Sequence, residues 1–354
     1  MKNILEKYNY PEDEIAPLID RYRRGEFQPS DNVLKAKVEA PADDAFGSLP
    51  PEGSPERARL YSIGMEAIEK GQLALVILNG GMATRFGGLV KGIVEVFDGM
   101  SFLELKIRTA MRISDKISFY IMNSFSTEEG TKKHFEEKNY FGIPERIKMF
   151  NQFIAPRINE KGEFFRQGDP TKGYYGPGHG DFPYAFKESG ELKNFEDAGG
   201  KYIFFSNVDN LGALPIPEIL GYHIESGAEL TAEEAEKAPG DEGGAPALVD
   251  GRLQLVEGFA FPEGFDTSKI PVFNCNSYWV NSEALRKNFD LPWYIVEKEA
   301  DSEKVIQFEH IAGDLTIFLE SAFLRVSRDE RFFPVKRPED LENSREALRK
   351  LTGY

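Results

Sequence analysis

The stretch "LALVILNGGMATRFGGLVKG", residues 73–92, sets six apolar residues directly before a run holding five glycines, Arg85 and Lys91. A continuous apolar run of that length suits a strand buried on both faces of a parallel sheet. A buried strand, a glycine-rich turn and then a helix is a phosphate cradle. Glycines let the backbone approach phosphate oxygens, and the free N–H groups at a helix start donate to them. Three common cradles do not fit. No G-K-[ST] ends the loop, no G-x-G-x-x-G spacing occurs, and no H-R-D or D-F-G follows downstream. A glycine-rich turn after a strand can also be only a turn. Two cations on one loop favour a polyphosphate.

Outward from this stretch, strand-like segments recur at 117–123, 147–153, 201–210 and 273–280. Helical patterns separate several of them, notably at 102–114 and 128–139. Strands alternating with helices predict an α/β fold with a mixed, mostly parallel sheet flanked by helices. Upstream, residues 1–24 carry apolar residues at helical intervals, 40–56 reads as a Pro/Gly-rich connection, and 56–71 as an amphipathic helix stopped by Gly71. The acidic segment 228–246 predicts, by composition, a short helix and a flexible turn.

The whole chain has 354 residues, 41% hydrophobic and 29% charged, as expected of an ordinary soluble protein. No apolar run approaches the roughly 20 residues of a membrane helix, and the N-terminus has no secretory pattern. Cys275 is the single cysteine, which excludes an intrachain disulfide and a cysteine-rich metal site. These features lead to the expectation of a cytoplasmic protein. A net charge of −16 argues against a nucleic-acid surface. An anionic substrate would need cations, N–H groups or a metal gathered locally.

The glycine loop resembles the N-terminal signature of the UTP:sugar-1-phosphate uridylyltransferase family, in its eukaryotic UDP-glucose pyrophosphorylase-like branch. That signature runs L-N-G-G-L-G-T-x-M-G and then P-K. Here Ala83 replaces a glycine, and the segment before Lys91 is one residue short and lacks the proline. Further motifs follow in the family's order: "MNSFSTEEGTKK" (122–133), "FNQFIAPRI" (150–158), "GPGHGD" (176–181), "SNVDNLGA" (206–213), "LQLVEG" (253–258), "FNCNSYW" (273–279), "VIQFEH" (305–310) and "RFFPVK" (331–336).

The resemblance implies a nucleotide-sugar transferase fold of Rossmann-like type. It divides the chain into a helical N-terminal extension (1–72), a catalytic domain (73–336) and a C-terminal helical tail (337–354), without the C-terminal β-helix domain of eukaryotic members. It implies UTP and a sugar 1-phosphate as substrates, glucose 1-phosphate being favoured, with Mg²⁺ as cofactor and no nucleic acid, membrane or obligate protein partner. UDP-sugar and pyrophosphate would be the products.

Gln152, with the backbone near Gly80, Gly81 and Gly178, would read the uracil; its amide can both donate and accept. His179 would hold the sugar phosphate by a hydrogen bond rather than move a proton, because the attacking phosphate oxygen is already anionic. Asp209, at the end of an apolar strand, would hold Mg²⁺, and Asn207 would contact the sugar. Glu257 and Asn276 would bind sugar hydroxyls. Arg85 and Lys91 would hold the β- and γ-phosphates, and Lys336 the α-phosphate or the incoming phosphate. For 228–246 the resemblance implies sheet rather than helix, with Lys237 and Gly243–Gly244 near the sugar. Two alternatives stay open: specificity for galactose or an N-acetylhexosamine, and a catalytically silent nucleotide-binding regulatory protein.

Overall fold

A computed structural model describes residues 2–83, 88–166, 169, 172–238, 241, 243–335 and 337–354. Among these, the central sheet has eight strands. They are Gly47–Ser48 (β1), Leu73–Leu78 (β2), Ser118–Asn123 (β3), Ile147–Asn151 (β4), Tyr202–Asn207 (β5), Leu230–Glu236 (β6), Val272–Asn281 (β7) and Ser321–Val326 (β8). Their order across the sheet is β1-β8-β6-β7-β5-β2-β3-β4. Only β7 runs antiparallel to its neighbours; every other adjacent pair is parallel.

All six residues of β2 are buried because each face meets a different core. Leu73, Leu75 and Ile77 pack with Phe119, Ile121 and Phe204 under helix Phe102–Ile113. Ala74, Val76 and Leu78 pack with Tyr120, Phe205 and the helix Phe182–Glu188. In register, Leu78 lies opposite Met122 on one side and Asn207 on the other. The residues just beyond β2 therefore stand between the ends of β3 and β5, at the carboxyl edge where open α/β sheets bind ligands.

Two small antiparallel sheets flank the main one: Val38–Glu39, Ala245–Val249 and Arg252–Val256, and Ile158–Asn159, Tyr294–Ala300 and Glu303–Glu309. Near the N-terminus, helix Glu12–Arg23 buries Ile15, Leu18 and Ile19 against Ala155, Ile158, Ile306 and Phe308. Among the described residues no helix is long and apolar enough to cross a membrane.

Three local expectations change. The acidic 228–246 segment holds no helix among its described residues: it supplies β6, with Leu230, Ala232 and Ala235 in the two cores. Helix propensity is a weak prior, and pairing with β7 and β8 overrides it. Nor do the described residues of the glycine loop open an α-helix: a short 3₁₀ turn, Lys91–Ile93, follows, and the next α-helix begins at Phe102. Within 40–56, Gly47–Ser48 joins the sheet edge beside β8.

Candidate active site

Beyond β2 the chain is anchored by Asn79, whose Nδ2 donates to Asn123 Oδ1 and Thr131 Oγ1, both at 2.9 Å. It then forms a hairpin: Met82 pairs with Val90 and Ala83 with Leu89. Arg85, expected on this loop, lies outside the described residues. Among the described residues no α-helix starts here, so the cradle draws on side-chain charge. Lys91 supplies part of it. Its N–H donates to Gly81 O, and its Nζ lies 2.6 Å from Asp209 Oδ2.

Gln152 follows β4, and its N–H donates to Asn123 O at 2.8 Å. Its side chain lies between Gly80 and Gly176. A Cβ on Gly80 would sit 2.6 Å from Gln152 Oε1, and one on Gly176 would collide with the amide. Glycine at both places is what lets the amide stand there. Among the described residues the amide makes no hydrogen bond, so its donor and acceptor remain available to a ring edge. Gly81 borders open space. Gly178 is different: at φ 100° and against His310 O, it shapes the turn that carries His179.

His179 accepts a hydrogen bond at Nδ1 from the Ala312 N–H, 3.0 Å away. The neutral ring must then carry its proton on Nε2, which becomes a donor. Burial, which disfavours the charged ring, pulls its pKa down to about 4. The side chain is thus a neutral donor at ordinary pH, suited to a phosphate oxygen and not to proton transfer.

At the end of β5, Asn207 and Asp209 are both half-buried. Sequence reasoning missed what lies beneath them. Lys106, fully buried, donates to Ser206 Oγ at 3.0 Å and to the carbonyls of Asn207 and Asn210 at 2.9 Å each. Its signal was a lysine on the apolar stripe of helix Phe102–Ile113, among Phe102, Leu103 and Ala110. Among the described residues Asp209 is the sole carboxylate at this strand end, and no group of three or more His, Cys, Asp or Glu could hold a metal. Its Oδ2 faces Lys91, and no bond to Oδ1 occurs among the described residues. One free hard oxygen fits Mg²⁺, which keeps most of its shell for water and phosphates.

Across β7 lies the sugar side. Asn276 has φ 51°, where the β6–β7 register shifts between Ala232 and Glu234. Such a bulge re-aims a side chain, and asparagine tolerates the left-handed backbone better than most residues. Asn276 Oδ1 accepts from Asn274 Nδ2 and Tyr278 OH, at 3.2 and 3.1 Å, so its own NH₂ points elsewhere. Glu257, after the strand Arg252–Val256, is half-buried beside Gly244, with its pKa raised by burial. It lines a cleft of about 440 Å³ with Lys237, Asp241 and Gly243. Lys237 is tied to Thr267 O at 2.9 Å. Glu234, which the sequence did not single out, is fully buried, and neither of its oxygens is hydrogen-bonded among the described residues; burial, then Glu233 and Glu257, push its pKa well up.

The "RFFPVK" segment reaches the same edge. Arg331 makes a two-pronged pair with Glu233 (Nε–Oε2 2.7 Å, Nη2–Oε1 2.6 Å) and donates to Gly212 O at 2.9 Å. Phe333 N–H donates to Asn210 Oδ1 and Val335 N–H to Asp209 O. Lys336 itself lies outside the described residues. The structure thus brings Gly80, Gln152, Lys91, Asp209, Asn207 and His179 to one sheet edge, with Asn276 and Glu257 alongside. A separate cleft of about 570 Å³, lined by Lys201, Tyr202 and Asn281, opens at the start of β5, the edge away from these groups.

Comparison with known proteins bears on the family and the fold. Residues 33–352 match the sequence profile of the family described as UTP–glucose-1-phosphate uridylyltransferase. The chain is 32% identical over 350 residues to the UTP–glucose-1-phosphate uridylyltransferase of Hordeum vulgare, covering 92% of this chain and 71% of that one. Among solved structures, a UDP-glucose phosphorylase from Trypanosoma brucei superimposes with a TM-score of 0.75 at 26% identity, covering 92% of this chain and 72% of that one. The uridine diphosphate N-acetylglucosamine pyrophosphorylase of Trypanosoma brucei shares the fold with a TM-score of 0.74 at 22% identity, covering 86% and 72%.

Proposed function

We propose that this chain, which belongs to the UTP–glucose-1-phosphate uridylyltransferase family, forms UDP-glucose and pyrophosphate from UTP and glucose 1-phosphate. The observation that carries the reading is the carboxyl edge of the sheet. It presents in succession the free amide of Gln152, the Lys91–Asp209 pair, the neutral imidazole of His179 and the polar groups at Asn276 and Glu257.

In this reading a phosphate oxygen of glucose 1-phosphate attacks the α-phosphorus of UTP in line. A new P–O bond forms as the bond to pyrophosphate breaks, and no proton moves. That agrees with His179, whose pKa burial holds far below its usual value. Gln152 holds the uracil edge, Lys91 and Arg85 hold the departing phosphates, and His179 donates Nε2–H to the sugar phosphate. Lys336 neutralises the α-phosphate or the incoming phosphate. Asn207, Asn276 and Glu257 orient the hexose. Mg²⁺, when held by Asp209, supplies charge neutralisation across the phosphate oxygens. Positioning and preorganised charge are the main terms such chemistry needs.

The test is pyrophosphate release with Mg²⁺, UTP and a panel of glucose, galactose and N-acetylglucosamine 1-phosphates. Glucose 1-phosphate is expected to give the highest kcat/KM. A higher value with another sugar would reassign the specificity. UTP binding without release from any sugar would make the chain a silent nucleotide-binding protein.

A further inference from the structure

The buried ammonium of Lys106 is the feature that the reading above leaves unused. Its three acceptors are Ser206 Oγ, Asn207 O and Asn210 O, at 2.9–3.0 Å. The two carbonyls bracket Asp209, two residues before it and one after. Other bonds share the turn: Val208 N–H donates to Leu78 O, Asn210 N–H to Asn207 O and Ala213 N–H to Asn210 O, while Asp209 O accepts from Val335 N–H and its Oδ2 meets Lys91 Nζ. Asn210 is in turn bound to the 331–335 segment, with Nδ2 donating to Arg331 O at 3.0 Å and Oδ1 accepting from Phe333 N–H at 2.9 Å. One side chain therefore ties β5, the Asp209 turn and the "RFFPVK" segment to helix Phe102–Ile113. A lysine at a fully buried position is disfavoured unless something requires it, since leucine or methionine would fill the same space without desolvating a charge.

We propose that Lys106 is a positioning residue for the transfer reaction, fixing the turn that presents Asp209 and Asn207 to substrate. It acts through the backbone of that turn and touches no substrate. The inference rests on the role given to Asp209 above.

Lys106→Met keeps the stem and removes the ammonium. Displacing reacting groups by about an ångström lowers rate on the order of a hundredfold, so kcat should fall roughly 10- to 100-fold while the KM for UTP changes less than about threefold. The Mg²⁺ concentration for half-maximal rate should rise. The extra thermal stabilisation that Mg²⁺ adds to the UTP complex should shrink, which is a readout independent of turnover. Ser206→Ala, which removes only one acceptor and spares the fold, should shift all three quantities the same way by less.

The deciding comparison is a cycle with Asp209→Asn. If Lys106 works through Asp209, Lys106→Met should add little to the loss already caused by Asp209→Asn. Losses that multiply overturn the inference. So does a Lys106→Met protein with a lower melting point but wild-type kcat and Mg²⁺ response. An Asp209→Asn protein with wild-type turnover would sink the reading of Asp209 itself, and the inference with it.

Discussion

Lys91 Nζ lies 2.6 Å from Asp209 Oδ2, joining the hairpin after β2 to the turn after β5. The side chains are 16% and 22% exposed, so the pair is shielded from solvent on most sides. Each partner has a counter-charge to offer an incoming Mg²⁺–triphosphate: the ammonium to phosphate oxygens, the carboxylate to the cation. Asp209→Asn should lower kcat by about a hundredfold or more, the scale of losing one preorganised charge at the reacting centre. Lys91→Met should act mainly through weaker UTP binding. Steady-state rates across a Mg²⁺ titration check both. Near-normal turnover of Asp209→Asn at saturating Mg²⁺ would remove the carboxylate from metal binding.

The two glycines around Gln152 give a test of base reading that leaves Gln152 in place. Gly80→Ala puts a methyl 2.6 Å from Gln152 Oε1, and the amide must move. A displaced bidentate contact is worth about 1–3 kcal/mol, so the UTP KM should rise roughly tenfold or more. Discrimination between UTP and CTP should narrow with it. Equal kcat/KM ratios for the two nucleotides in wild type and variant would free Gln152 of that role.

His179 yields a pH prediction with a definite sign. Its folded pKa, about 4, lies below the ordinary value of 6.5 because the ring is desolvated. Between those values the unfolded chain binds the proton and the folded chain does not. Stability contributed by the neutral ring is therefore complete above about pH 6.5 and is lost as pH falls toward 4. His179→Gln should make that part of the melting-temperature profile shallower, with His223 and His310, also held at about 4 by burial, accounting for the slope that is left. In catalysis, kcat/KM should show no histidine limb near pH 6.5, and His179→Ala should raise the sugar-phosphate KM roughly 10- to 100-fold. A His179→Ala profile that loses a limb present in wild type would instead mark proton transfer.

Much of this arrangement is legible in the chain itself. β2, β3 and β5 are apolar runs too short for helices, β7 mixes aromatic and apolar residues with asparagines, and their succession gives the α/β sheet. The edge residues follow, because Gln152, Asn207 and Asp209 stand at or just past strand ends. β6 is another matter. "LTAEEAE" reads as helix because nothing nearby shows that Glu233 will be neutralised by Arg331, 98 residues later. The hairpin after β2 is hidden for a related reason. Glycines permit both a helix entry and a tight reversal, and only pairing of Met82–Ala83 with Leu89–Val90 chooses between them. Lys106 was readable as a charge on an apolar stripe; its acceptors, on backbone far along the chain, were not.

The Arg331–Glu233 pair carries the strongest stability prediction. Both side chains are buried, and Trp279 Nε1 also donates to Glu233 Oε1 at 2.9 Å. Removing one partner strands the other charge, so Arg331→Met should cost about 3–5 kcal/mol in urea unfolding. The double variant Glu233→Met, Arg331→Met has no stranded charge and should recover much of that loss. Recovery should stop short of wild type, because Trp279 N–H and Gly212 O lose their partners, at about 1–3 kcal/mol for each buried group left unbonded. Turnover should not recover in the double variant. Arg331 also sets the path of residues 332–335, whose N–H groups bind Asn210 and Asp209. A double variant that regains stability and kcat together would show that the pair serves the fold alone.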